Sequence, residues 1–345
     1  MTKAILVTGA GGVGKTTLSA AIAVRLARSG RRTLCLTVDP ARRLADALGV
    51  GTLGAVPTVN RNLDLLWGAM LDAEHSWDAV ARRHADPEVA ERLVTSEFFR
   101  VAARHFPASQ SYAAAERMAD HIESDEWDVV VVDTPPAAGG IEFFTAPAET
   151  RDLVGGRLIR WITGGALPGR RSLFRIAGRP ALKMASTVLG SNLLERVAEF
   201  LFDLRTTHDS LSRRAAAIER HFQKASTLVV TTADPTPLRE AERFFRHLPK
   251  VATSPEFVVF NRSLPDSWKT ARPPQGSPPA LAENLRRWSS EATRQAAHRG
   301  EFAARYDTAV ATVPWQSESP TDLDALESLL THSTGLDDLW TRAKG

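Results

Sequence analysis

The chain of 345 residues carries a single cysteine, Cys35, so it has no intramolecular disulfide framework and no structural zinc site of the multi-cysteine kind. That scarcity fits a reducing compartment. Methionine is sparse as well: four in all, of which Met70, Met118 and Met184 lie mid-chain, too few for the soft, adaptable surface of a promiscuous binder. No apolar run approaches the ~20 residues needed to cross a bilayer. The opening run Ala4–Thr8 is too short for a signal-peptide core, so a cytoplasmic protein without permanent membrane insertion is expected. Charge of one sign is lacking too: 43 basic and 40 acidic residues leave +3. The arginines come in pairs such as Arg31-Arg32 and Arg42-Arg43 rather than in runs, so no nucleic-acid partner is expected. No internal repeat is visible.

What is present is an ordinary globular balance, 43% hydrophobic and 24% charged with 8 Trp and 14 Phe, enough apolar material for one large core. Short β-branched runs read as buried parallel strands: Ile5–Val7, Thr33–Val38, Val129–Val132, Thr227–Thr231, Phe257–Phe260 and Ala309–Val313, with Leu63–Leu71 a weaker candidate. Strands alternating with longer helical material predict a doubly wound α/β fold with a mostly parallel sheet, whose ligands bind at the strands' carboxyl ends. Two stretches, about 77–122 and 153–222, break the rhythm and predict a helical layer inserted into a single domain spanning 1–345. A Pro-rich piece, about 263–281, predicts a flexible exposed loop.

After the first strand comes Gly9-Ala10-Gly11-Gly12-Val13-Gly14-Lys15-Thr16, then Thr17-Leu18 and an amphipathic run. Strand before and helix after are the context that gives this P-loop pattern meaning. Glycines let main-chain N–H groups of Gly11, Gly12, Val13, Gly14, Lys15, Thr16 and Thr17 turn toward phosphates, and the helix N-terminus adds partial positive charge. Lys15 is placed to reach the β- and γ-phosphates and the Thr16 hydroxyl to ligate Mg²⁺. The expected ligand is ATP or ADP with Mg²⁺.

Two further strand ends carry carboxylates. The second ends in Val38-Asp39-Pro40-Ala41, where Asp39 orients an attacking water, binds the metal through a water, or caps a helix that begins at Pro40. Another ends in Val132-Asp133-Thr134-Pro135-Pro136, where Asp133 is placed beside a magnesium ion or, in the bland alternative, is a turn residue. The small residues that follow, Ala137 to Gly140, read as a segment able to move with phosphate state.

Together these segments resemble the arsenite-pump ATPases and tail-anchored-protein targeting factors, a branch of P-loop proteins with a GKGGVGKTT loop, a DPA first switch and a DTAP-like second switch. The stretch Thr231-Thr232-Ala233-Asp234-Pro235 matches that family after its fifth strand. Asn261 matches its adenine-contacting Asn, and Val313-Pro314-Trp315 stands where a second adenine-side loop lies, with Pro314 against the base. The resemblance implies a P-loop NTPase fold and a nucleotide-sandwiching dimer whose helical layers open and close with ATP hydrolysis. In that cycle Asp39 positions the hydrolytic water, Lys15 and Thr16 hold phosphate and Mg²⁺, and Asp133 supports the metal. One departure is sharp. The family's second P-loop residue is a lysine that reaches the partner's phosphates, and here it is Ala10, which implies a heterodimer with a lysine-bearing paralogue, unless an arginine such as Arg42 or Arg43 substitutes in cis and a homodimer serves. The family's interface zinc cysteines are also missing.

The helical stretches carry wide apolar faces, Leu93-Val94, Phe98-Phe99, Val101 and Phe106 in one and Val188-Leu189, Leu193-Leu194, Val197, Phe200-Leu201 and Leu204 in the other. They read either as ordinary core or as a groove for an apolar, tail-anchored client helix. Two other functions remain in view: a nucleotide-binding partner subunit with little turnover, favoured by Ala10, and a membrane-positioned division-type scaffold, disfavoured by the acidic stretch Asp322–Leu330.

Overall fold

The computed structural model describes residues 2–38, 43–71, 73–105, 108–135, 138–155 and 191–344. The chain divides into two compact units. The first holds residues 1–72, 118–144 and 221–345, and the second 73–117 and 145–220.

The first unit is built on an eight-stranded sheet: β1 (Lys3–Gly9), β2 (Thr33–Thr37), β3 (Thr58–Asn60), β4 (Leu63–Met70), β5 (Val129–Asp133), β6 (Ser226–Thr231), β7 (Phe257–Ser263) and β8 (Ala309–Pro314). Their order is β3-β4-β2-β5-β1-β6-β7-β8, and every pairing is parallel except β3 on β4. Every expected strand is present. β3 is an addition: it is three residues long, with Thr58 and Val59 exposed, so neither alternation nor a buried run announces it.

Period two along the strands sends alternate side chains to opposite faces. Ile5, Val7, Cys35, Val129, Val131, Leu228, Val230, Val259 and Ala311 form one buried cluster with α1 (Lys15–Arg28), α2 (Arg43–Leu48), α12 (Leu323–Thr331) and Leu339 of α13 (Asp337–Lys344). On the other face Phe260 meets Phe302 of α11 (Pro279–Tyr306), and Phe245 of α10 (Pro235–Val251) packs edge-on against the same ring. Helices on both faces make the sheet doubly wound. β1 lies where the order reverses, flanked by β5 and β6, and the loop after it is therefore the expected ligand crevice.

The second unit is helical among its described residues: α3 (Ala73–His84), α4 (Pro87–Thr95), α5 (Glu97–His105), parts of α6 (Ser109–Glu123) and α7 (Ala138–Gly155), all of α8 (Ser191–Thr206) and most of α9 (His208–Lys224). Ala81, Leu93 and Phe99 form its small core with Trp77, Val94 and Phe200 against it. Of the expected stretch 153–222, residues 156–190 lie outside the described residues, and with them Val188-Leu189; Phe106 does too. The glycine-rich piece after Asp133, expected as a moving loop, opens α7 from Ala138 onward. Gly140 permits it: a Cβ there would fall 2.9 Å from Thr8 Oγ1 and 2.8 Å from the Phe244 ring. The Pro-rich segment contains a 3₁₀ turn, Asp266–Thr270, before α11 begins at Pro279.

Candidate nucleotide site

β1 runs out at Gly9, whose φ is +144° and whose added Cβ would lie 2.1 Å from the Val230 carbonyl oxygen of β6. Gly14 has φ +93°, and a Cβ there would meet Asn261 Nδ2 at 2.3 Å. Both positions therefore need glycine twice over, for backbone conformation and for space. Gly11 and Gly12 are exposed between them, while Val13 turns inward into the α1 core.

Gly14 is the N-cap of α1, and no side chain caps the helix or adds an acid to its first turn. The partial positive charge of this N-terminus is thus offered to the loop itself, the arrangement that suits a phosphate. Lys15 is buried and its Nζ donates to the Ala10 carbonyl at 2.8 Å, so the ammonium sits inside the curve of the loop. Thr17 follows, half-buried, in the first turn.

Across from the loop, Asp133 ends β5 in register with Val7 of β1 and Thr37 of β2. It is 2% exposed. A carboxylate so deep is costly unless hydrogen-bonded, and one of its oxygens, Oδ2, accepts from Thr16 Oγ1 at 2.6 Å and from Thr37 Oγ1 at 3.2 Å. The hydroxyl of Thr134 and its backbone N–H both reach the Val7 carbonyl, which fixes the chain just beyond the carboxylate. Thr16 and Asp133 supply hard oxygen donors at one point. Mg²⁺ takes one or two such protein ligands and completes its shell with water and substrate phosphate, so the donor set fits that ion. Among the described residues no group of three or more His, Cys, Asp or Glu gathers to hold a metal by protein groups alone. Cys35 lies buried beneath the site; burial first, and the Asp133 charge second, push its thiol well above the ordinary range, so it stays protonated and inert.

On the opposite side of the loop, Asn261 Nδ2 donates to the Val13 carbonyl at 2.7 Å, and its Oδ1 accepts from the Arg262 N–H at 2.8 Å. The amide keeps a second N–H and a second lone pair. Pro314 ends β8, and the next N–H, of Trp315, donates to the Ser263 carbonyl. The structure thus gathers Gly11, Gly12, Val13, Gly14, Lys15, Thr16, Thr17, Asp133 and Asn261 around one loop, with Pro314 at the end of β8, three strands from β1 along the same edge. Asp39 and Arg42 lie outside the described residues; Val38, just before them, donates to the Asp133 carbonyl at 3.3 Å. Thr37 carries no local signal: it reads as a strand-forming residue until its register with Asp133 is seen.

The pattern of the family described as anion-transporting ATPase matches residues 2–277. A Halobacterium salinarum protein named as an arsenical pump-driving ATPase is 26% identical over 97% of this chain and 45% of its own length. One of the same name in Prosthecochloris vibrioformis is 24% identical over 74% of this chain and 60% of its own. The Schizosaccharomyces pombe ATPase get3 is 24% identical over 76% and 74%. The chain spans about half the length of the first two of these relatives. With a match over most of its length and a glycine-rich loop at the sheet's reversal point, the chain belongs to the anion-transporting ATPase family.

Proposed function

We propose that the chain is a Mg²⁺-dependent ATPase that works as a dimer and couples ATP binding and hydrolysis to the opening of a helical surface. The observation that carries this reading is the 2.6 Å contact between the Thr16 hydroxyl and the Asp133 carboxylate, beside a glycine loop that opens directly into α1. The main-chain amides of residues 11 to 17 hold the triphosphate. Lys15 leaves the Ala10 carbonyl for the β- and γ-phosphates, where its charge offsets the charge that develops as the terminal bond breaks. Thr16 would be the protein ligand of Mg²⁺, with Asp133 holding that hydroxyl in place, and the ion would supply positive charge against the phosphates. Asp39 orients the attacking water, and Asn261 and Pro314 contact adenine.

Ala10 offers no charge to a partner's phosphates, which favours a heterodimer with a lysine-bearing paralogue, in which this chain's site is the one completed. The same residue favours a second reading, a nucleotide-holding subunit with little turnover of its own. The helical unit exposes Val101 of α5 and Phe202 of α8, apolar groups suited to a client helix such as a membrane tail. No described helix is long and apolar enough to cross a membrane, and we place the protein in the cytoplasm.

The test is phosphate release from ATP by the purified chain, with Mg²⁺ and with chelator, alone and with such a paralogue. Asp39→Asn is expected to abolish release while ATP binding persists. Calorimetry that detects no binding of ATP or ADP overturns the proposal, and full activity of the chain alone overturns the heterodimer. A peptide crosslinking assay, with and without ATP, tests the client: no nucleotide-sensitive adduct removes it.

A further inference from the structure

α11 spans 28 residues, about 42 Å at helical rise. Along its middle, Glu291, Arg294, Gln295 and His298 recur at the spacing that puts side chains on one face. Among the described residues, the hydrogen bonds that leave this face go to the backbone of two loops. Arg294 Nη1 and His298 Nδ1 both reach the carbonyl oxygen of Ala233, at 3.2 and 3.0 Å. A carbonyl only accepts, so the His298 proton sits on Nδ1. Gln295 Oε1 accepts from the N–H of buried Leu264 at 2.9 Å. Glu291 ties the stripe together, accepting from Arg294 Nε and Nη2 and from Gln295 Nε2 at 2.8, 2.6 and 2.9 Å. Arg299 adds a bond to Asp266 at 2.7 Å.

The loops so held are those after β6 and β7, on the Asn261 side of the P-loop. The second is under strain: Arg262 has φ +55° without being glycine, and the β7–β8 register shifts between Phe260 and Ser263. Irregularities of this kind re-aim a side chain, and here the re-aimed residue is Asn261, turned onto Val13 and Gly14. A strained turn persists only where its surroundings over-determine it. Ser263 Oγ, donating to the Phe260 carbonyl, and the Trp315 N–H fasten it from within the sheet. Gln295 fastens it from α11.

We propose that Arg294, Gln295 and His298 are positioning residues for the base half of a bound nucleotide: by pinning Ala233 and Leu264 they hold the turn that carries Asn261 and the loop beside it, and so set affinity for the nucleoside part without touching the phosphates. This rests on the nucleotide reading above and adds to it a set of residues outside the P-loop. Two probes separate the halves of the ligand, ATP and inorganic tripolyphosphate, both titrated calorimetrically with Mg²⁺. In the folded double variant Gln295→Met/His298→Leu, ATP is expected to bind about ten-fold more weakly, equivalent to one or two net hydrogen bonds. Tripolyphosphate affinity and kcat stay within two-fold, and KM rises with Kd. His298→Asn, which keeps a donor near the position of Nδ1, is expected to stay close to wild type. Gln295→Met alone gives the same pattern at about three-fold, which serves if the double variant does not fold. Unchanged ATP affinity in either folded variant, or an equal loss for tripolyphosphate, overturns the proposal while leaving the nucleotide reading intact. A wild-type chain that binds tripolyphosphate but gains nothing from the nucleoside also overturns it, and one that binds neither probe removes both.

Discussion

The two units bury polar groups in opposite ways. In the sheet unit, Thr8, Lys15, Thr37, Asp133, Thr134 and Thr231 are buried in a row at the carboxyl ends of strands or just beyond them. In the helical unit the buried charge is a knot. Glu116 of α6, 1% exposed, receives His84 Nε2 at 3.0 Å and Arg83 Nη1 at 2.9 Å, both from α3, with Arg214 Nε of α9 at 3.9 Å. His84 Nδ1 meets Ser210 Oγ of α9 at 2.9 Å, so three helices are tied through two side chains. Burial drives the Glu116 carboxyl upward, but the His84 hydrogen bond and the charges of His84, Arg83 and Arg214 outweigh it, and the group lies below its usual range. Tyr112, beside it, is pushed up by burial first and by the Glu116 charge second. One arrangement lines the edge of the sheet; in the other a single carboxylate meets its opposite charges within the unit. Burial of polar groups alone therefore does not mark a site, but their placement at chain ends of one sheet edge does.

The largest expected effect breaks the knot. Glu116→Ala leaves two arginines and a histidine without their common carboxylate, a change that costs about 3–5 kcal/mol when a buried pair loses one member. Denaturant unfolding measures it, with ATP affinity as the control. A loss under about 1 kcal/mol, or a fall in ATP affinity larger than the fall in stability, erases the contrast between the units. Next is the edge. Lys15→Met is expected to lower hydrolysis by about 10²–10³-fold, the scale for losing one preorganised charge partner of a transition state, while unfolding free energy stays within about 1 kcal/mol. If stability falls and hydrolysis does not, Lys15 is a structural residue and the edge is not a site.

Acid sharpens the same comparison. Because the folded-state pKa of Glu116 is lowered, its contribution to stability is complete above the unfolded value near 4.5 and disappears as pH falls through the lower folded value. The helical unit of wild type is expected to loosen in that window, and Glu116→Gln to show a flatter pH dependence below pH 4.5, followed by hydrogen exchange in α3, α6 and α9. Parallel curves for both proteins would show that Glu116 does not control acid unfolding.

The contrast also explains what could be read from the sequence. Phosphate binding through main-chain amides needs adjacent residues, so Gly9 to Thr17 announces itself, and Asp133 does too, at the end of four consecutive valines. Thr37 and the α11 stripe act on the same site from distant positions, and each looks locally like an ordinary strand or helix residue. The knot was invisible for a related reason. His84, Glu116, Ser210 and Arg214 are spread over 130 residues, and each alone reads as a solvated polar group on a helix. The small residues after Asp133 read as a segment able to move with phosphate state; what the sequence did not show is that Gly140 lies in the first turn of α7, where close approach to Thr8 and Phe244 requires a small residue.

The smallest expected effect comes from charge pairs on the sheet unit's surface. Arg28 at the end of α1 pairs with Asp324 and Glu327 of α12, and its guanidinium pKa is raised by the hydrogen bond to Asp324 first and to Glu327 second. Three charged groups meet here, a cluster nearly as large as the four around Glu116, but the Asp324 side chain is 89% exposed. Water screens the attraction and ordering three long side chains costs entropy, so Arg28→Ala is expected to cost less than about 1 kcal/mol. The loss should shrink further as salt is raised, because the Debye length falls below about 8 Å above physiological ionic strength. A cost matching that of Glu116→Ala, or one insensitive to salt, would mean that the number of charges decides rather than their burial. α12 is held to α1 mainly by Leu326, Leu329 and Leu330 in the shared core, and a single Leu330→Ala there is expected to outweigh Arg28→Ala by a clear margin.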